Sequence, residues 1–180
     1  MEFIDLVKAR QSDRAYTEQP VDRNNLERCV EAARLAPSSC NAQPWSVVIV
    51  DDPELKNKVA QTTMMPPSAF NKFVSEAPAI VVVIIEKDSA VSSAGAKVRN
   101  IQFPLIDIGA FAENFCLQAA ELGLGTCMIG WVNERELRKL LNISGKKRIP
   151  IVITVGYPRQ NSKRDKIRRP LEELCRYNSY

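Results

Sequence analysis

The 180-residue sequence contains no histidine. That absence excludes Ser-His-Asp and Cys-His nucleophilic constellations and every His-ligated metal site. Cysteine is sparse and unpaired in pattern. Cys29, Cys40, Cys116, Cys127 and Cys175 are odd in number and no two form a CxxC motif, so they read as small buried hydrophobes. Long hydrophobic runs are lacking too. The longest, residues 77–85, is far too short to span a bilayer, so no membrane partner is expected. The first residues, MEFIDLVKAR, carry acids at Glu2 and Asp5 instead of the basic start of a signal peptide, and a cytoplasmic location is expected. No P-loop is present. Gly123 and Gly125 end a helical pattern instead of opening one after a strand, which excludes the dinucleotide-binding GxGxxG reading.

What is present is an ordinary globular composition, 45% apolar and 26% charged, in a length that suits one domain over residues 1–180. The formal net charge of +4 is not spread evenly. Residues 159–169 hold six basic residues and one acid, a local +5, and the rest of the chain sums to −1. Residues 159–180 form a basic C-terminal arm on a near-neutral body. A contact with nucleic acid is one reading of the arm, but the stretch is short and the body offers no extended basic face, so no nucleic-acid partner is expected.

Hydrophobic spacing predicts a short first helix presenting Phe3, Leu6 and Val7, and a second over residues 22–35 with Asp22 as its cap and Leu26, Cys29, Val30 and Ala33 as its stripe. WSVVIV at 45–50 reads as a buried strand, Asp52-Pro53 as a helix start, and AIVVVII at 79–85 as a strand covered on both faces. Residues 89–100 read as a loop. Residues 106–122 are apolar almost all round, as in a helix buried in a core or an interface. A strand at 126–129, a helix capped by Asn133 and a strand at 149–155 follow. Strands and helices alternate loosely, which gives an α+β or α/β sandwich around one sheet.

Two segments could carry chemistry. In Arg10-Gln11-Ser12-Asp13-Arg14, an extended backbone puts Arg10, Ser12 and Arg14 on one face. Two guanidinium forks and a hydroxyl suit a phosphate, although the same pattern also fits a solvated charge cluster. The loop from Ala36 to Trp45, with Ser38, Ser39, Asn41 and Gln43 boxed by Pro37 and Pro44, is either a helix stop and turn or a ligand loop at a sheet edge.

Together, Arg10-x-Ser12-x-Arg14 and Pro37-Ser38-Ser39-x-Asn41-x-Gln43-Pro44-Trp45 resemble the N-terminal signature of the nitroreductase family of FMN-dependent NAD(P)H oxidoreductases. Ala77-Pro78 before the strand, Asp107-x-Gly109 through Thr126, Gly156-Tyr157-Pro158 and Arg169-Pro170-Leu171-Glu172 agree in order and spacing. The resemblance implies a nitroreductase-like α/β/α sandwich with a central mixed sheet, and a homodimer with an exchanged C-terminal arm and FMN at the interface.

It also implies roles. Arg10, Ser12 and Arg14 match positions that hold the FMN phosphate and reach the flavin's pyrimidine edge. Pro37, Ser38, Ser39 and Asn41 match a loop that contacts flavin, often that of the partner subunit. Asn71 matches a position near the ring. Met128, Ile129 and Gly130 match the segment lying along the isoalloxazine. Lys166 and Arg168 match the phosphate-binding pair of the tail, with Arg169 as a possible substitute. The lysine that several members carry shortly after the Asn71 position is absent three residues on, where Val74 stands, which shifts charge stabilisation at flavin N1/O2 toward Arg14. Phe103 and Trp131 are expected as buried core aromatics, with a lid over the flavin as the other reading. No protein nucleophile is required. NADH or NADPH and a nitroaromatic, quinone or similar small acceptor would use one site in turn, and a flavin-storing protein that reduces nothing is the alternative.

Overall fold

A computed structural model of the chain describes residues 2–64, 69–86, 98, 100–160 and 164–180, and the side chains of all of these except 69 and 70. The expected loop at 89–100 therefore lies outside the described residues, save for Val98 and Asn100. In chain order the helices are α1 (Phe3–Ala9), α2 (Arg23–Arg34), α3 (Pro53–Gln61), α4 (Phe103–Glu121), α5 (Glu134–Leu140) and α6 (Leu171–Leu174). The strands are β1 (Trp45–Val50), β2 (Ala79–Ile85), β3 (Gly125–Ile129) and β4 (Arg148–Gly156). Two 3-10 segments, Ser39–Asn41 and Ala69–Glu76, lie outside the elements that hydrophobic spacing predicts. No described helix is long and apolar enough to cross a membrane.

The predicted caps form. Asp22 accepts the N–H of Asn24, Asp52 that of Leu55 and Asn133 that of Glu136, each satisfying a donor that a helix start leaves free. Helix α4 begins at Phe103, three residues earlier than its apolar run suggests, because Pro104 sits at the first turn, where its missing N–H costs nothing.

The sheet has the order β1-β2-β4-β3, and all three strand pairs are antiparallel. The parallel component expected of a mixed sheet is present as one bridge, Ser12 to Thr126, beside β3. Along β2, Ala79, Val81 and Val83 face α2 and α4, and Ile80, Val82 and Ile84 face α3, α5 and the Ala69–Glu76 segment. Two covered faces explain why β2 reads as an unbroken apolar run. Burying each such Val or Ile contributes about 1.5–3 kcal/mol. Strand β1, expected as buried, is only half-buried up to Val50, because it is an edge with one neighbour.

Two glycines set close approaches. A Cβ on Gly125 would lie 2.7 Å from Asp13 Oδ2, and one on Gly156 would overlap Pro78 and come within 2.9 Å of Tyr16 Cδ1. Tyr16 is buried, and its hydroxyl donates to the Asp13 carbonyl at 2.7 Å and lies 2.7 Å from Thr154 Oγ1. The segment after α1 is thereby pinned to the β3–β4 end of the sheet.

The cysteines divide. Cys29, Cys116 and Cys127 are buried, as expected, and burial pushes the thiols of Cys29 and Cys116 up to about 12 and about 11. Cys40 and Cys175 are exposed, because they lie in a surface loop and in the arm. Trp131, expected in the core, is 51% exposed just past β3, and Phe103 is partly buried at the start of α4.

Candidate functional site

Helix α1 ends at Arg10, whose backbone is extended (φ −61°, ψ 126°). The chain then runs beside β3, where Asp13 N donates to the Thr126 carbonyl at 2.8 Å. The extended course brings Arg10, Ser12 and Arg14 to one cleft of about 330 Å³. The opposite wall is the arm, with Arg164, Lys166 and Arg168. Groups more than 150 residues apart thus line one cleft. Arg164, which no motif in the sequence singles out, adds a fifth cation, and Asp165 is the acid in the lining.

Each side chain has a distinct setting. Arg10 Nε lies 3.3 Å from Glu113 Oε1 on α4, and is buried without a hydrogen bond of good geometry. The Arg14 guanidinium sits 6.0 Å above the Phe73 ring. Lys166 Nζ donates to the Arg10 carbonyl, and Arg168 Nη1 to that of Ile167 at 2.7 Å. Burial, and then repulsion from Arg10 and Arg168, hold the Lys166 ammonium below the usual lysine range. Five cations against Asp165 in the lining and Glu113 beside Arg10 leave a net positive charge, the chemistry that suits a dianion such as a phosphate monoester. Ser12 also hydrogen-bonds the Cys127 thiol, which burial pushes up while Arg14 opposes the shift.

The remaining expected residues sit around this cleft or away from it. Met128 is 38% exposed on edge strand β3, whereas the Ile129 side chain is turned into the core, so Ile129 can offer a ligand only its backbone. Gly130 has room beside it, since a Cβ there would lie 3.8 Å from the Pro150 carbonyl oxygen, an ordinary contact. Asn71 donates from Nδ2 to the Thr63 carbonyl at 3.0 Å, which ties its 3-10 segment to the end of α3. It is not among the residues lining this cleft.

Pro37, Ser38, Ser39 and Asn41 precede β1, the edge of the sheet opposite β3, and are not among the residues lining the cleft. They form a constrained loop, not a simple helix stop. Ser38 Oγ accepts the N–H of Gln43 at 2.9 Å, and the N–H of Ser39 lies 3.2 Å from both Asp107 carboxylate oxygens. Cys40, Asn41 and Gln43 all have left-handed φ, near 50°. Such strain in non-glycine residues persists only where surroundings enforce it. Asp107, buried on α4, appears in the sequence as part of Asp107-x-Gly109, with nothing there to show its bond to Ser39.

The arm begins on its own chain. Arg164 and Lys166 bond to Gln11, Ser12 and Arg10 of the same chain. From Pro170 to Tyr180 every residue is exposed.

Helices packed on both faces of one antiparallel sheet, with a basic cleft beside its edge, define an α+β sandwich. The chain belongs to the nitroreductase family, whose model matches residues 7–157. It is 28% identical to an FMN reductase [NAD(P)H] of Bacillus subtilis over 192 residues, covering 99% of this chain and 74% of the relative. It is 26% identical to an iodotyrosine deiodinase of Thermotoga neapolitana, covering 99% of this chain and 98% of that protein. The structure resembles an NADPH:FMN oxidoreductase from Vibrio harveyi solved with NAD+, with a TM-score of 0.79 and 25% identity over 98% of this chain and 77% of that one.

Proposed function

We propose that the chain passes a hydride from NADH or NADPH to a nitroaromatic, a quinone or a similar small acceptor, with FMN held in the Arg10–Lys166 cleft and both substrates using one site in turn. The broader activity, NAD(P)H-dependent oxidoreduction with FMN, follows from membership of the nitroreductase family and agrees with relatives named FMN reductase and NADPH:FMN oxidoreductase. Bound FMN supplies the hydride chemistry at its N5 atom.

The observation that carries the reading is the convergence of Arg10, Ser12 and Arg14 with Lys166 and Arg168. These five bind and orient the phosphate. Arg14, braced on Phe73, extends positive charge toward N1/O2, where charge develops on reduction. Met128 and Gly130 offer a surface and backbone donors along the ring, with Ile129 contributing its backbone alone. Asn71, held by its bond to the Thr63 carbonyl, is assigned to the flavin ring side.

The unit is a single domain over residues 1–180 that works as a homodimer in the cytoplasm, where unpaired cysteines stay reduced. The dimer is supported by unpartnered apolar surface: α1 buries no residue, and Leu105, Ile106, Leu171, Leu174 and Tyr177 are exposed. It is supported too by the separation of the Pro37–Asn41 loop from the cleft, since a second copy would bring that loop to the flavin. The C-terminal arm, residues 159–180, is proposed to be exchanged between the two copies, and its end from Pro170 on is exposed.

The absorption spectrum of purified protein tests the activity. Flavin bands that bleach on anaerobic addition of NADH or NADPH, and recover with a quinone, are expected. A colourless protein that takes up no FMN overturns the reading, and bands that never bleach point to flavin storage.

A further inference from the structure

The arm and the strand after α1 are joined at three points, and Arg164 makes two of them. Its backbone N–H donates to Gln11 Oε1 at 3.1 Å, and its guanidinium Nη2 donates to the Ser12 carbonyl. Two residues on, Lys166 Nζ donates to the Arg10 carbonyl. Arm numbers rise by two as partner numbers fall by two, which is the register of antiparallel neighbours, here carried by side chains on backbone oxygens.

This arrangement answers an electrostatic problem. Arg10, Arg14, Lys166 and Arg168 line one cleft and repel one another; burial first, and then the charges of Arg10, Arg168 and Arg164, lower the proton affinity of Lys166. Without an anion between them, like charges drive the arm outward, and an extended chain with two cations can settle in many registers. An attachment made through carboxylates would hold the arm but neutralise the site. Arg164 is instead attached through neutral oxygens, those of the Gln11 amide and the Ser12 carbonyl, so the arm is held and the cleft keeps its charge. Asp13 adds a longer-range attraction, since Arg164 acts to keep its half-buried carboxylate ionised.

We propose that Arg164 is a positioning residue that clasps the arm onto Ser12, and so sets the register in which Lys166 and Arg168 face Arg10 across the anion cleft. The clasp rests on the reading of this cleft as the FMN phosphate site. It implies that phosphate affinity depends on Arg164 although Lys166 and Arg168 remain in place, and that the arm is seated before flavin binds.

The test uses the full chain with R164A and R164K, read by two measurements. The first is binding of FMN and of riboflavin, which lacks the phosphate, by flavin fluorescence quenching. The second is hydrogen exchange of amides 164–169 in flavin-free protein. R164A is expected to weaken FMN at least tenfold, to change riboflavin less than twofold and to lose arm protection. R164K, which keeps a donor for the Ser12 carbonyl, is expected to recover most of both. Unchanged arm protection in R164A, or an unchanged ratio of FMN to riboflavin affinity, overturns the clasp. Equal binding of FMN and riboflavin by the unaltered protein would instead overturn the phosphate reading, and the exchange measurement would still decide whether Arg164 seats the arm.

Discussion

Glu113 Oε1 lies 3.3 Å from Arg10 Nε, a carboxylate placed against an arginine that lines the anion cleft. The ion pair holds Glu113 beside Arg10, which lines the cleft. Glu113 also opposes the binding of an anion by its own charge. E113Q keeps the shape and removes the charge. A unit charge several ångströms away in high dielectric changes binding by about threefold. FMN affinity should therefore rise about threefold in E113Q, with a steeper dependence on salt. A fall in affinity would mean that the carboxylate's orienting role outweighs its charge.

Replacing Arg10 itself should act on the phosphate alone. Charge-assisted hydrogen bonds are roughly 1.5–3 kcal/mol each, so R10A should weaken FMN by about ten- to a hundredfold. Riboflavin affinity should not change, and the thermal midpoint should move little because the Arg10–Glu113 pair is partly exposed. Calorimetric titration with both flavins checks this.

The cleft should also have an alkaline limit. Burial, then Arg10 and Arg168, lower the Lys166 proton affinity from the ordinary 10.5. The charge is present below the lowered value and lost as pH rises through it. FMN affinity should therefore decline at a pH below that at which an ordinary lysine titrates. K166M should bind more weakly at neutral pH and show a flatter alkaline limb. Kd measured in both proteins from neutral pH up through the lysine range decides it.

Much of this was legible in the sequence for reasons that are local. Caps at Asp22, Asp52 and Asn133 depend on neighbours two or three residues away, and the unbroken apolar run of β2 reports two covered faces directly. The i, i+2 spacing of Arg10, Ser12 and Arg14 and of Lys166 and Arg168 was readable because an extended chain has period two. What escaped depends on long-range partners. Strand β1 has the same composition whether central or at an edge, and only the order of strands makes it half-buried. Trp131 reads as core until the end of β3 leaves it on the surface. Arg164 sits in a run of basic residues, and nothing nearby distinguishes it from Arg159 or Arg169, since its partners are 152 and 153 residues away. Asp107 has the same character, because its partner Ser39 lies 68 residues earlier.

Asp107 gives a prediction on stability. Its carboxylate is buried and receives the N–H of Ser39 on both oxygens, so D107A leaves that donor without its partner and opens space in α4's packing. Such a loss costs about 1–3 kcal/mol, or roughly 3–10 °C in Tm for a chain of this size. The left-handed backbone at Cys40 and Asn41 should relax with it. Limited proteolysis should then cut near residue 40 in D107A and not in the unaltered protein.

The exposed face of α4 carries the strongest test of the dimer. Ile106 is 61% exposed, Leu105 is exposed beside it, and a Cβ added to Gly109 would meet nothing within 4 Å. An exposed side chain can be exchanged for a charge at little cost to the fold, so I106D should leave the far-ultraviolet spectrum unchanged. If this face is buried between two copies, the same aspartate is placed without a partner in an apolar contact and the dimer dissociates. Sedimentation should then show a monomer for I106D and a dimer for the unaltered chain. Because a monomer has its Pro37–Asn41 loop at the sheet edge away from the cleft, I106D should also lose flavin, although every cation of the phosphate cleft remains. An I106D protein that stays dimeric, or a monomer that keeps its FMN, would show that the cleft and the loop serve separate purposes.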